Sequence, residues 1–96
     1  MNTDNPLILL VEDNTDHAEI FMRSMKKNQA QCTIKLVNDG EQALKFLFGE
    51  NIELDKEPKM IPDLILLDLR LPKIDGLEVL DTIKKSDYLE NIPVVV

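Results

Sequence analysis

Two short apolar runs constrain the fold of this 96-residue chain more than any other feature. Leu7 to Val11 reads LILLV and Leu64 to Leu67 reads LILL, and neither run alternates between polar and apolar residues. An uninterrupted run of this length is typical of a β-strand covered on both faces, as the central strands of a parallel sheet are. The sequence therefore predicts a sheet with helices on both sides.

Amphipathic segments follow the predicted strands. From Thr15, again after the turn signal Asn38 to Gly40, and again from Gly76, apolar residues recur at the spacing of one helix face. Gly49 is a plausible end for the second of these helices. The predicted inward-facing residues are Ala18, Phe21, Met22 and Met25, then Ala43, Leu44, Leu47 and Phe48, and finally Leu77, Leu80 and Ile83.

Two further strands complete the pattern. Cys32 to Val37 alternates and is rich in β-branched residues, which predicts a strand with one more exposed face, and Pro93 opens a short run of valines. Glu50 to Pro62 is a polar loop. Strands that alternate with helices indicate right-handed βαβ units, so we expect an α/β fold with a doubly wound parallel sheet and a single domain over residues 1–96.

The charge and the termini exclude several classes of function. A net charge of -7 disfavours direct contact with nucleic acid and with anionic membranes, since both require a basic surface. The opening residues MNTDNP lack the basic and apolar segments of a secretory signal, and no apolar run is long enough to cross a membrane. We therefore expect a cytoplasmic protein.

Acidic residues follow both central strands. Glu12 and Asp13 come directly after the first run, and Asp68 comes directly after the third strand. The carboxyl ends of parallel strands meet at one edge of the sheet, where ligands bind in open α/β folds. A converging set of carboxylates suits Mg²⁺, and an aspartate can also accept a phosphoryl group. Taken alone, Asp13 or Asn14 could equally be an ordinary helix cap.

These segments resemble the receiver domain of two-component response regulators. LILLVEDN, NDGEQAL, PDLILLDLRLPKIDGLEVL and NIPVVV occur in the family's order, and the resemblance runs from Leu7 to Val96. Its most specific part is an aspartate followed by a proline and an Asp-Gly pair, here Asp68, Pro72, Asp75 and Gly76. The resemblance implies the flavodoxin-like fold with strand order 2-1-3-4-5.

The resemblance also implies roles for individual residues. Asp68 is the expected phosphoacceptor, taking a phosphoryl group from a phosphohistidine of a sensor histidine kinase. Asp13 and Asp68 are expected to bind Mg²⁺ directly, Glu12 through water, and Arg70 through its backbone carbonyl. The loop and the RLPKIDG segment are most similar to the small single-domain regulators paired with phytochrome-type kinases.

One departure concerns the last third of the family's pattern. Receivers carry a Ser or Thr at the end of the fourth strand and a Lys at the end of the fifth, and the printed sequence stops at Val96 before either. We expect a receiver domain that is incomplete at its C-terminus and lacks the last helix, strand and helix. Such a chain has an exposed sheet edge, through which it could associate with itself.

Other functions fit the residues less well. A flavin binder would offer amides to a phosphate after the first strand, where this chain has two acids, and a haloacid-dehalogenase-type phosphatase needs an acid at the position of Arg70. The alternatives left open are a receiver-shaped binding module that is not phosphorylated and a truncated chain that does not switch. Whether self-phosphorylation makes such a domain an enzyme is also left open. His17, the only histidine, is expected to be exposed and incidental.

Overall fold

The computed structural model describes residues 5–28, 31–68 and 75–96, and these ranges contain four strands and three helices. In chain order the elements are β1 (Leu7–Val11), α1 (Thr15–Lys27), β2 (Thr33–Val37), α2 (Gly40–Phe48), β3 (Leu64–Leu67), α3 (Gly76–Lys85) and β4 (Val94–Val95). Each of the predicted elements is present, with ends within one or two residues of those expected. The described helices include none that is long and apolar enough to cross a membrane.

The four strands form one parallel sheet in the order β2-β1-β3-β4. This order confirms the expected 2-1-3-4 arrangement. Leu9 of β1 lies beside Lys35 of β2 on one side and Ile65 of β3 on the other, so β1 and β3 are the two central strands. β1 is buried along almost its whole length, as its uninterrupted apolar run predicts.

The core lies mainly between the sheet and the α2 and α3 pair. Alternate residues of the strands point to this face and are fully buried together with the inner faces of both helices. The described hydrophobic residues with no exposed surface are Leu9, Ala43, Leu47, Ile65, Val79, Ile83 and Leu89. Right-handed crossovers place α1 on the opposite face, where it is the one helix among the described residues, and Ala18 is its buried residue.

Each described helix begins at a side-chain cap. Asn14 accepts hydrogen bonds from the backbone N–H groups of Asp16 and His17, at 2.9 and 3.1 Å. Asp39 accepts one from Gln42 at 2.8 Å, so the predicted turn at this point is the start of α2. Such caps satisfy backbone donors that have no partner within the helix. They also fix where the chain leaves each strand.

Two predicted core positions are wrong. Leu77 is 59% exposed, because α3 buries the stripe of Gly76, Val79 and Ile83 instead. Residues two apart in a helix point to nearly opposite sides, so burying Val79 exposes Leu77. Met22 is 41% exposed, and it lines an open hollow together with Leu36 of β2, the strand at the edge of the sheet. The remaining predicted helix residues are buried or half-buried.

The amino ends of the two central strands are joined by a reciprocal pair of hydrogen bonds. The Leu7 backbone N–H donates to Asp63 Oδ2 at 2.8 Å, and the Asp63 N–H donates to the Leu7 carbonyl at 2.8 Å. The Asp63 carboxylate therefore has a structural partner. This acid lies at the end of β3 opposite to Asp68.

Candidate functional site

Three carboxylates converge at the carboxyl ends of β1 and β3. One oxygen from each of Glu12, Asp13 and Asp68 lies within 4.8 Å of the others. Glu12 and Asp68 are half-buried and Asp13 is exposed. The convergence expected from strand order is therefore present in the described part of the chain.

Backbone hydrogen bonds hold two of these acids against the sheet. The Asp68 N–H donates to the Val11 carbonyl at 3.1 Å, and the Glu12 N–H donates to the Val37 carbonyl at 3.0 Å. These bonds extend the parallel ladders by one residue beyond each strand. Asp68 and Glu12 therefore share the rigidity of the sheet rather than that of a loop, a precision that a reactive site requires.

Asn14, not Asp13, is the helix cap. Because the Asn14 side chain already accepts from two N–H groups of the first turn of α1, capping does not account for Asp13. The capping role that an acid between a strand and a helix often has thus belongs to Asn14. Asp13 is placed instead beside Asp68 and Glu12.

Glu12 has two different surroundings for its two oxygens. The Asn14 backbone N–H donates to Oε2 at 3.2 Å, while Oε1 lies 4.0 Å from His17 Nδ1. One oxygen of Glu12 is thus engaged by the protein itself. This arrangement fits a carboxylate that reaches a metal through water more readily than one that binds it with both oxygens.

A polar cavity of about 330 Å³ opens between these residues. It is lined by Glu12, Asp13, Asn14, His17 and Asp68. Three carboxylates around one cavity repel one another unless a cation offsets their charge. Hard oxygen ligands of this kind fit a small divalent cation that keeps part of its water shell.

Not every acid near the motif belongs to this site. Asp75 caps α3, with Oδ1 accepting from the Leu77 N–H at 2.9 Å, so its role in the described structure is local. Arg70, whose carbonyl is a predicted metal ligand, and Pro72 both lie outside the described residues.

The sequence predicts that His17 is exposed and incidental. It is exposed, but it lines the acidic cavity. The signal that could have found it is its place in the first turn of the helix that follows Asp13, since that turn begins at the edge of the sheet where the acids meet.

The family model for the response regulator receiver domain matches residues 8–96. The chain belongs to the response regulator receiver domain family. The match begins at the second residue of β1 and includes the other three described strands and the three clustered acids. Both the resemblance stated from the sequence and the flavodoxin-like fold are confirmed.

Relatives of this receiver domain are regulators from archaea and bacteria. The probable methanogenesis regulatory protein FilR2 of Methanothrix harundinacea is 44% identical over 90 residues, which are 94% of this chain and 56% of the relative. Response regulator Rcp1 of Synechocystis is 41% identical over 94% of this chain and 59% of its own length. The receiver domain described here thus spans less than two thirds of the length of these curated relatives.

Solved structures give the same fold. The phosphorylated cyanobacterial phytochrome response regulator RcpA superposes with a TM-score of 0.79 and 38% identity, over 94% of this chain and 62% of that one. The Mn²⁺-bound form of Rcp1 gives 0.77 and 39% identity, over 93% and 62%. One of these relatives is thus known in a phosphorylated form and the other with a divalent metal.

Proposed function

We propose that this receiver domain is a phosphoacceptor switch and that Asp68 is the residue phosphorylated. One observation carries the proposal: Asp68 lies at the tip of a central strand, within 4.8 Å of two further carboxylates. An Asp68 carboxylate oxygen would attack the phosphorus of a phosphohistidine. The phosphorus–nitrogen bond breaks, its electron pair stays on the departing imidazole, and an aspartyl phosphate forms.

Mg²⁺ is the cofactor we assign to this site. Asp13 and Asp68 would bind it directly and Glu12 through water, with the Arg70 carbonyl as the ligand expected from the sequence. When bound, the ion supplies the positive charge that offsets the carboxylates and the incoming phosphoryl group. The acidic cavity and the engaged Glu12 oxygen support this set of ligands.

The phosphodonor we infer is a sensor histidine kinase, of the phytochrome type. Support comes from the likeness to RcpA and Rcp1, the first of which is a phytochrome response regulator. Such a pair would work in the cytoplasm. The net charge of -7 favours a protein partner over nucleic acid or an anionic membrane as the direct target. The domain would modify only itself, since the phosphoryl group taken from the donor stays on Asp68 until water removes it.

We also propose that copies of this chain associate through β4. This strand is at one edge of the sheet, and Val95 and Val96 are 54% and 67% exposed. An exposed apolar edge favours pairing with a second strand. Val95→Lys should shift sedimentation toward monomer, whereas Leu77→Lys, at an exposed position on α3, should not. A parent chain that stays monomeric at all concentrations would contradict this proposal.

Incubation with acetyl phosphate and Mg²⁺, followed by intact mass spectrometry, tests the main proposal. We expect the parent to gain one phosphoryl group, and Asp68→Asn or an excess of chelator to prevent the gain. A parent that stays unmodified while binding Mg²⁺ would favour the alternative of a receiver-shaped binding module. A gain that persists in Asp68→Asn would overturn the assignment of the acceptor.

A further inference from the structure

His17 lies at the boundary between two cavities that meet at Asp68. The polar cavity contains the three clustered acids. The second cavity, of about 350 Å³, continues from Asp68 along the α1 face of the sheet and is mostly apolar, lined by Leu10, Val11, Phe21, Leu66, Leu67, Val95 and Val96 besides the shared residues. Three described residues line both cavities, namely Glu12, His17 and Asp68.

Among these shared residues His17 alone comes from a helix. Glu12 and Asp68 are held at strand ends by backbone hydrogen bonds, whereas His17 reaches in from the first turn of α1. The His17 backbone N–H donates to Asn14 Oδ1 at 3.1 Å, and this hydrogen bond fixes the backbone from which the imidazole extends. Its side chain is 60% exposed, and its ring lies beside Glu12. The imidazole therefore borders both the acidic and the apolar cavity.

We propose that His17 sets the lifetime of phosphorylated Asp68 by limiting the access of water. This inference rests on the proposed function, because it concerns the aspartyl phosphate. Loss of the phosphoryl group requires a water oxygen to attack the phosphorus roughly in line with the bond to Asp68. That bond breaks, its electrons return to the carboxylate, and inorganic phosphate leaves with the protons of the water.

The bulk of the side chain is the property that matters in this proposal. Apolar residues border Asp68 on one side and offer water few hydrogen-bond partners there. Removing the imidazole takes bulk from the border of both cavities and widens the approach of water to a phosphoryl group on Asp68. His17→Ala should therefore shorten the lifetime of the phosphorylated form, and His17→Leu, which restores bulk without ring nitrogens, should restore the lifetime. His17 is thus a positioning residue for access and not an acceptor.

The experiment follows the decay of the phosphorylated chain. Parent, His17→Ala, His17→Leu and the control Ile20→Ala are phosphorylated with acetyl phosphate and Mg²⁺, separated from the donor by rapid gel filtration, and sampled over time by intact mass. Ile20 is on the same helix and is 65% exposed, so its truncation tests for general effects on α1. Circular dichroism verifies that each variant is folded.

We expect a several-fold faster decay for His17→Ala and parent-like decay for His17→Leu and Ile20→Ala. Unchanged or slower decay in His17→Ala overturns the inference, and so does a His17→Leu variant that decays like His17→Ala, since polarity rather than bulk would then be responsible. These outcomes leave the proposed function standing. A parent that takes no phosphoryl group, or an Asp68→Asn variant that does, overturns both.

Discussion

The two ends of β3 carry one aspartate each, and the two differ in what surrounds them. Asp63, at the amino end, accepts a hydrogen bond from the Leu7 N–H at 2.8 Å and returns one to the Leu7 carbonyl. Asp68, at the carboxyl end, lies among two other carboxylates. Residue type and position at a strand tip are the same in both cases. Asp63 joins two strands through its hydrogen bonds with Leu7, whereas Asp68 belongs to a cluster of three carboxylates.

The difference teaches how this fold separates stability from function. At the amino end each polar group of the Leu7 and Asp63 pair meets a complementary group, which stabilises the central strands. At the carboxyl end three carboxylates lie around one cavity, and their mutual repulsion opposes folding and favours the binding of a cation. Substitutions that remove a carboxylate at the two ends should therefore change the free energy of unfolding in opposite directions.

The largest effect on stability is expected at the amino end. Asp63→Ala leaves the Leu7 N–H without its acceptor and should lower the free energy of unfolding by about 1–3 kcal/mol. Asp63→Asn keeps a side-chain oxygen in place and should lose much less. Urea unfolding followed by circular dichroism measures both. Equal losses in the two variants, or none in either, would remove the proposed distinction between Asp63 and Asp68.

Mg²⁺ affinity should respond at the carboxyl end. Asp13→Asn removes one of the direct ligands we assign and should weaken Mg²⁺ binding by about tenfold or more, since even groups behind the ligands contribute on this scale. Asp16→Asn, an exposed acid in the first turn of α1, is the matched control and should bind like the parent. Isothermal titration calorimetry separates the two. Equal weakening in both variants would mean that total charge, not the cluster, attracts the ion.

The same Asp13→Asn variant should change stability in the opposite sense to Asp63→Ala. Without metal it relieves repulsion from Glu12 and Asp68, so the free energy of unfolding should rise by up to about 1 kcal/mol, the interaction of two charges at 4 Å in water. Saturating Mg²⁺ should reverse the ranking of parent and variant. Urea unfolding in chelator and in Mg²⁺ provides the test. A variant less stable than the parent in chelator would contradict the account of the cluster.

The smallest effect is expected from an acid at neither end. Glu41 on α2 hydrogen bonds to Lys45 and raises the pKa of Lys45 above its usual 10.5, helped by the charge of Glu50. A raised folded-state pKa stabilises the fold fully below 10.5 and loses that contribution as pH rises through the raised value. Glu41→Gln should therefore be slightly less stable than the parent below pH 10.5. Thermal unfolding should show a small difference, because both side chains are about half exposed, and the difference should disappear at higher pH as Lys45 loses its proton.

Much of the fold could be predicted because the strongest signals are local. The uninterrupted run Leu7 to Val11, for example, requires cover on both faces, and this fixed its place at the centre of the sheet. The convergence of Asp68 with Glu12 followed from parallel topology alone. The identities of the caps and of the clustered acids are visible as residue types at element boundaries.

The errors arise where two patterns share residues. In α3 the spacing fits either of two apolar stripes, one through Leu77 and one through Val79, because Leu80 and Ile83 lie next to both. Packing buries Val79 and leaves Leu77 exposed. His17 was underestimated because helix periodicity describes the face toward the core and not the turn that borders the site. Which side of a helix faces a cavity depends on how the helix is docked, and spacing does not encode that.

The most direct measurement asks which carboxylate holds the phosphoryl group. Borohydride reduces an acyl phosphate to the alcohol, so treating the phosphorylated chain and sequencing its peptides by mass spectrometry marks the acceptor. The account predicts a single reduced residue at position 68, and none at Asp13, Glu12 or Asp63. Reduction at any of those three instead, or a phosphorylated chain with no reduced aspartate, would contradict the claim that β3 delivers Asp68 as the phosphoacceptor.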